Sequence, residues 1–152
     1  MAIETIRVEQ REHQRGAALA VEGDATPEAV GRAWGRLLLR CKDVPAAGPA
    51  FGLRHPDGRY EACWALFPGH PLPEGLHETE APGGWYAAAV HAGPYDGIEE
   101  TLRLILDEWL PHGGFRRREG PIAERLLTDP REAAEAELRT EILVPLRPDP
   151  IE

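Results

Sequence analysis

Along this chain the apolar positions change period several times, and each change marks an element. Ile6 and Val8 alternate with charged residues, and Gly16-Ala-Ala-Leu-Ala-Val-Glu22 is a small-residue apolar run, so both stretches predict strands. Val30, Trp34, Leu37, Leu38 and Cys41 then recur at helical spacing. Thr26-Pro27-Glu28 supplies a cap, a proline suited to the first turn and an acid at the positive end of the helix dipole. A helix of about four turns follows, ended by Lys42 and Pro45. Phe51 to His55 and Tyr60 to Phe67 flank Pro56-Asp57-Gly58 and predict a hairpin. Gly69 to Gly84, rich in proline and glycine, predicts a connector that divides the chain into two halves.

The second half repeats the alternation. Trp85 to His91 predicts a strand, and Asp96-Gly-Ile-Glu99 matches a capped helix start. Ile98, Leu102, Ile105, Leu106 and Trp109 form the apolar stripe, and Pro111 with Gly113-Gly114 is expected to stop the helix. Ile122 to Leu127 and Leu138 to Leu146 predict two more strands, with a short helical turn within Asp129 to Glu137. On the last strand Thr140, Ile142, Val144 and Leu146 share one face, while Arg139, Glu141 and Leu143 share the other. The order of elements suggests pseudo-repeats of about 1–68 and 78–147. Aligning Phe67-Pro68 with Val144-Pro145 gives an offset of 77 and superposes Trp64 on Glu141.

Composition narrows the chemistry. A chain of 152 residues is read as one domain over 1–152, and its net charge of −9 argues against direct nucleic-acid binding. No apolar run reaches membrane-spanning length and the first residues lack a signal-peptide core, so a cytoplasmic protein without a membrane partner is expected. Cys41 and Cys63 read as small core residues. The six histidines show no metal-ligand spacing, no phosphate-binding glycine loop occurs, and the chain contains no serine. No metal or other cofactor is therefore expected, and serine hydrolase chemistry is excluded. What remains is aromatic and acidic. Trp34 and Trp109 read as helix packing, whereas Tyr60, Trp64 and Trp85 fit core and pocket wall equally well. For Glu124 and Glu141 the patterns leave a solvated face and a pocket floor both open.

Val90-His-Ala-Gly-Pro-Tyr-Asp-Gly97, Glu108-Trp-Leu-Pro111, Pro121-Ile-Ala-Glu-Arg125, Asp129-Pro130 and Leu138-Arg-Thr-Glu-Ile-Leu-Val-Pro145 together resemble the GyrI-like, or bacterial transcription-activator effector-binding, family. Arg54-His-Pro-Asp57 with Tyr60-Glu61 is similar to that family's middle hairpin. The resemblance implies an α+β fold: a duplicated βαββ module with pseudo-twofold symmetry, an antiparallel sheet with helices on one face and a ligand cleft on the other. It implies a free-standing domain that senses or sequesters lipophilic, cationic aromatic compounds, with Glu141 on the cleft floor and Glu124, Tyr60, Trp64, Trp85 and Tyr95 as further ligand-binding candidates. For Tyr95, packing at the strand-to-helix turn stands ahead of ligand contact. Leu126 and Leu143 stand where relatives often carry aromatics, which implies weaker stacking. Two other readings stay open. One is a hydrolase of cyclopropane-containing genotoxic compounds with Glu124 and Glu141 as its catalytic pair; the other is an interaction protein that inhibits a topoisomerase. The natural ligand and any protein partner are left unassigned.

Overall fold

The computed structural model describes residues 5–129 and 131–147. Eight strands form one antiparallel sheet: β1 Arg7–Arg11, β2 Gln14–Ala20, β3 Phe51–Arg54, β4 Tyr60–Ala65, β5 His77–Ala81, β6 Gly84–Ala92, β7 Ile122–Leu126 and β8 Arg139–Leu146. Their spatial order is β1-β6-β8-β7-β3-β4-β2-β5. Helix α1 (Pro27–Arg40) begins as expected, with the Thr26 hydroxyl accepting from the Ala29 amide at 3.2 Å. It covers β2 and β4 through Ala33 and Leu37, with Cys41 at its C-terminal cap in the same cluster.

The order of strands dictates the shape. β1 stands first and β2 seventh, so in a flat sheet they would lie roughly 29 Å apart at the usual strand spacing. Only Glu12 and His13 connect them, a reach of about 11 Å from Arg11 to Gln14. β5 and β6 are likewise separated by Pro82 and Gly83 alone. The sheet must curl until the two connections cross, and they touch. A Cβ on Gly83 would lie 3.0 Å from the His13 nitrogen and 3.2 Å from the Arg11 carbonyl oxygen. The inside of the curl is one core drawn from both ends of the sheet: Ala18, Cys63 and Ala65 meet Tyr86, Ala88, Ala123 and Leu143 around Phe51 and Leu53. Its alanines suit a tight curl. The helices cover the outer face in two separate clusters, one under α1 and one beneath the second helical segment.

Four expectations need correction. The connector Gly69 to Gly84 contains β5, whose sequence His-Glu-Thr-Glu-Ala lacks a large apolar residue because it is an exposed edge strand. Asp96 does not cap the second helix: Tyr95–Gly97 forms a 3-10 turn, and α2 (Ile98–Arg103) starts after Gly97 without a side-chain cap. Pro111 does not stop that helix. A π-helical stretch, Leu104–Trp109, precedes α3 (Leu110–Gly113), and the helical backbone runs on through Pro111 from this widened turn, with Trp109 and Leu110 both helical; Gly114, at φ 76°, ends it. The fourth concerns register. Ala20 and Val90 are the seventh residues of β2 and β6, and their partners are Glu61 and Glu141. Counted this way, Glu61 and not Trp64 faces β2 at the position where Glu141 faces β6. Between β7 and β8, Glu135–Glu137 forms a single 3-10 turn, and Pro130 lies outside the described residues.

Because the atoms facing Gly83 are backbone, they cannot swing aside. Gly83→Ala is expected to lose about 1–3 kcal/mol in urea unfolding. Gly48→Ala, where a Cβ would meet nothing within 4 Å, should stay within about 0.5 kcal/mol of the parent.

Candidate functional site

Three carboxylates are buried among the described residues, Glu61, Glu124 and Glu141, at 3%, 4% and 4% exposure. A buried carboxylate needs positive charge or hydrogen-bond donors, and each meets that need differently.

Glu141 lies on the inner face of the curl with Leu143. It accepts from Arg11 Nη1 at 3.0 Å and Nη2 at 2.8 Å, from Arg125 Nη1 at 2.6 Å and from Arg7 Nη2 at 3.5 Å. Burial pushes its pKa up, but the Arg11 and Arg125 hydrogen bonds outweigh that and hold it below the ordinary carboxylate range. Glu61, on the same inner face of β4, accepts from His77 Nε2, from His55 Nε2 at 2.6 Å and from Thr79 at 3.1 Å. There too burial is outweighed, by the His77 and His55 bonds, and the pKa is lowered. Glu141 ties edge strand β1 to β7 and β8, and Glu61 ties edge strand β5 to β4. Both are supplied with donors from within the chain.

Glu124 is on the outer face. On β7 it alternates with Ala123 of the inner core and shares its side with Ile122, which packs under α2. It accepts from Arg54 Nε and, at 3.4 Å, from the Tyr60 hydroxyl, which itself accepts from Trp34 Nε1 at 3.0 Å. Arg54 also donates to the exposed Glu99, at 2.5 Å, and lies 6.0 Å from the centre of the Tyr60 ring. Burial dominates here: Arg54 and Tyr60 lower the pKa of Glu124, yet it stays above the ordinary value. The Tyr60 hydroxyl is pushed well up by burial and by the neighbouring Glu124 charge. Room for that hydroxyl comes from Gly52, paired with Glu124 across β3 and β7; a Cβ there would lie 2.7 Å from Tyr60 Cζ.

The structure therefore brings Tyr60 and Glu124 together and sets Glu141 apart, through the sheet. Glu124 and Glu141 are aimed at opposite faces and share no common point, which the paired-carboxylate hydrolase reading requires. The aromatic–carboxylate group is on the helix-bearing face, not the opposite one. The opposite face holds a separate pocket of about 210 Å³ bounded by Arg11, Phe51, Tyr86, Arg125 and Leu143. Trp64 shares the face of Tyr60 but stands about 13 Å further along β4, packed in the α1 cluster. Its indole N–H is buried with no acceptor among the described residues. Trp85 packs in the other helix cluster, and Tyr95, 37% exposed, sits on the 3-10 turn. Sequence reasoning missed Arg54, Trp34 and Gly52 as members of the Glu124 group. Trp34 sits on the helix stripe that marks core packing, and only strand register could have revealed the other two. Among the described residues no group of three potential ligands could hold a metal, and no helix is long and apolar enough to cross a membrane.

Several solved structures share this curled, helix-backed sheet. The EcmrR C-terminal domain superposes with a TM-score of 0.76 at 16% identity, covering 94% of this chain and 97% of that one. SAV2435, solved bound to tetraphenylphosphonium, superposes with a TM-score of 0.66 at 11% identity, covering 95% of each chain. The GyrI-like small molecule binding domain family matches residues 4–147, and the chain belongs to that family. The probable transcriptional regulator YgiV of Escherichia coli K12 is 33% identical over 91 residues, 58% of this chain and 56% of that protein. The chain thus aligns with little more than half the length of that relative.

Two outcomes follow from this geometry. Glu61 and Glu141 have folded pKa values below the unfolded value of about 4.3, so each stabilises the fold above that pH and loses its contribution as pH falls through the lower folded value. Glu141→Gln should cost about 2 kcal/mol at pH 7, less than a fully buried pair because its arginines reach solvent, and should flatten the loss of stability below about pH 4. An unchanged acid slope in chemical unfolding would refute this role. Gly52→Ala should expel the Tyr60 ring from its seat, read as increased tyrosine exposure in solvent-perturbation spectroscopy.

Proposed function

We propose that this chain binds flat, lipophilic organic cations against the helix-bearing face of its sheet, with Glu124 as counter-charge and Tyr60 as an aromatic wall. One observation carries the reading: of the three buried carboxylates, Glu124 meets only two donor side chains, one guanidinium and a hydroxyl at 3.4 Å, against three for each of the others, and burial holds its pKa above the ordinary value. Its one guanidinium partner is divided with Glu99, and the hydroxyl beside it is neutral. A carboxylate left short of positive charge favours an arriving cation, and a Tyr ring face adds cation–π attraction. The net charge of −9 draws cations toward the chain. The fold shared with SAV2435, solved with a tetra-aryl cation, supports the ligand class, and the regulator among the relatives supports a role in sensing or sequestering such compounds. Glu141, already held by arginines, serves the sheet and not the ligand.

Tetraphenylphosphonium and its anionic isostere tetraphenylborate separate charge from shape. At about 100 times its dissociation constant the cation should add roughly 2.7 kcal/mol of stability, and the borate none. Glu124→Gln should abolish the cation's effect while leaving the unliganded protein within about 1 kcal/mol of the parent. Glu141→Gln, though less stable, should keep it. Equal stabilisation by both ions, or a loss that tracks Glu141, would sink the proposal.

A further inference from the structure

On an acidic chain, one recess is basic. It has a volume of about 920 Å³, lies between the end of β3 and the start of β7, and is lined by Arg54, His55, Arg117, Arg118, Ile122 and Arg147, with Glu119 its only carboxylate among the lining residues. The arginines sit on a fixed frame. Arg117 bridges to Leu146, the Arg118 amide donates to the Pro145 carbonyl at 2.9 Å, and the Arg147 amide donates to the Arg116 carbonyl at 2.8 Å. The segment before β7 therefore makes a single antiparallel bridge with the end of β8. The Arg118 guanidinium is pinned at 3.2 Å to the carbonyls of Leu146 and Trp85 and lies 5.1 Å over the Tyr86 ring. None of those contacts neutralises it. Among the described residues the Arg117 guanidinium has no hydrogen-bond or ion-pair partner.

We propose that this recess binds a small anion bearing two or more phosphate or carboxylate groups, held by Arg117 and Arg118 with Arg54 at the inner wall. Guanidinium forks match both acid groups in geometry, and a frame that fixes them before the ligand arrives lowers the ordering entropy of binding. A small anion fits better than a nucleic acid, because the rest of the surface repels an extended polyanion. Arg54 belongs to both sites. An anion that engages its guanidinium loosens its hold on Glu124, so anion and cation are expected to raise each other's affinity by the same factor. This coupling rests on the proposed cation site; the anion site does not.

The test is calorimetric titration of inorganic pyrophosphate and of citrate, at ionic strength fixed with sodium chloride, into the parent, Arg117→Ala and Arg131→Ala. Arg131 pairs with Asp129 on the exposed surface and serves as the control. One-to-one binding of either anion, weakened at least tenfold in Arg117→Ala and unchanged in Arg131→Ala, is expected. Binding of pyrophosphate alone would identify phosphate as the recognised group, and binding of both would identify any multivalent acid. No binding at millimolar concentration, or equal binding by all three proteins, would overturn the site. Repeating the titration with tetraphenylphosphonium present reads the coupling. Anion affinity unmoved by a bound cation would overturn the Arg54 link, whereas absence of cation binding with anion binding intact would count against Glu124 alone.

Discussion

Everything in this fold depends on two short connections. Glu12-His13 and Pro82-Gly83 each join strands that the sheet order holds far apart, so the sheet must curl and the connections must cross. The curl makes two unlike faces. Inside, small residues and Phe51, Tyr86 and Leu143 close on one another; outside, two helices pack in separate clusters with the central strands β3 and β7 between them. The crossing also explains the two most heavily bonded carboxylates. Edge strands β1 and β5 carry few large apolar residues to hold them, and Glu141 and Glu61 anchor them by charge and hydrogen bonding.

The three buried glutamates divide by what their neighbours supply. Glu141 and Glu61 meet three donor side chains each, enough to reverse the effect of burial. Glu124 meets Arg54 and a weakly placed hydroxyl, and burial prevails. Structural carboxylates are saturated because an unmet one would destabilise the fold. A carboxylate left partly unmet, as Glu124 is, suits the ligand-binding role we propose for it, because the energy withheld from the fold stays available to a ligand.

Much of this was legible in the sequence. Helix α1, the hairpin β3–β4 and the strand alternation of β8 came from period and punctuation, and residues spread along the whole chain carried the family resemblance. The failures have physical causes. β5 was invisible because an edge strand needs no apolar face. The π-helical stretch was invisible because it leaves the apolar stripe intact while shifting the turn that begins at Leu110. Aligning the two final strands on their apolar-Pro pairs superposed Trp64 on Glu141. Strand pairing instead gives Glu61 and Glu141 like places against β2 and β6, and pairing is a property of neighbours that one strand's sequence does not contain. For the same reason Gly52 looked like any strand glycine, although it seats the Tyr60 hydroxyl.

In the cation site we propose, Arg54 limits which ligands Glu124 can take. An incoming cation competes with a guanidinium already in place, tethered to β3 and stabilised by Glu99. A compact, strongly hydrated ammonium would surrender its water and gain little beyond what Arg54 already provides. A delocalised aromatic cation surrenders less hydration and adds apolar area against Tyr60, at about 25 cal/mol per Å² buried, which the arginine cannot match. Under that proposal the internal ion pair works as a filter. It keeps Glu124 tolerable in the empty protein and reserves the site for cations whose apolar bulk outweighs the loss of Arg54.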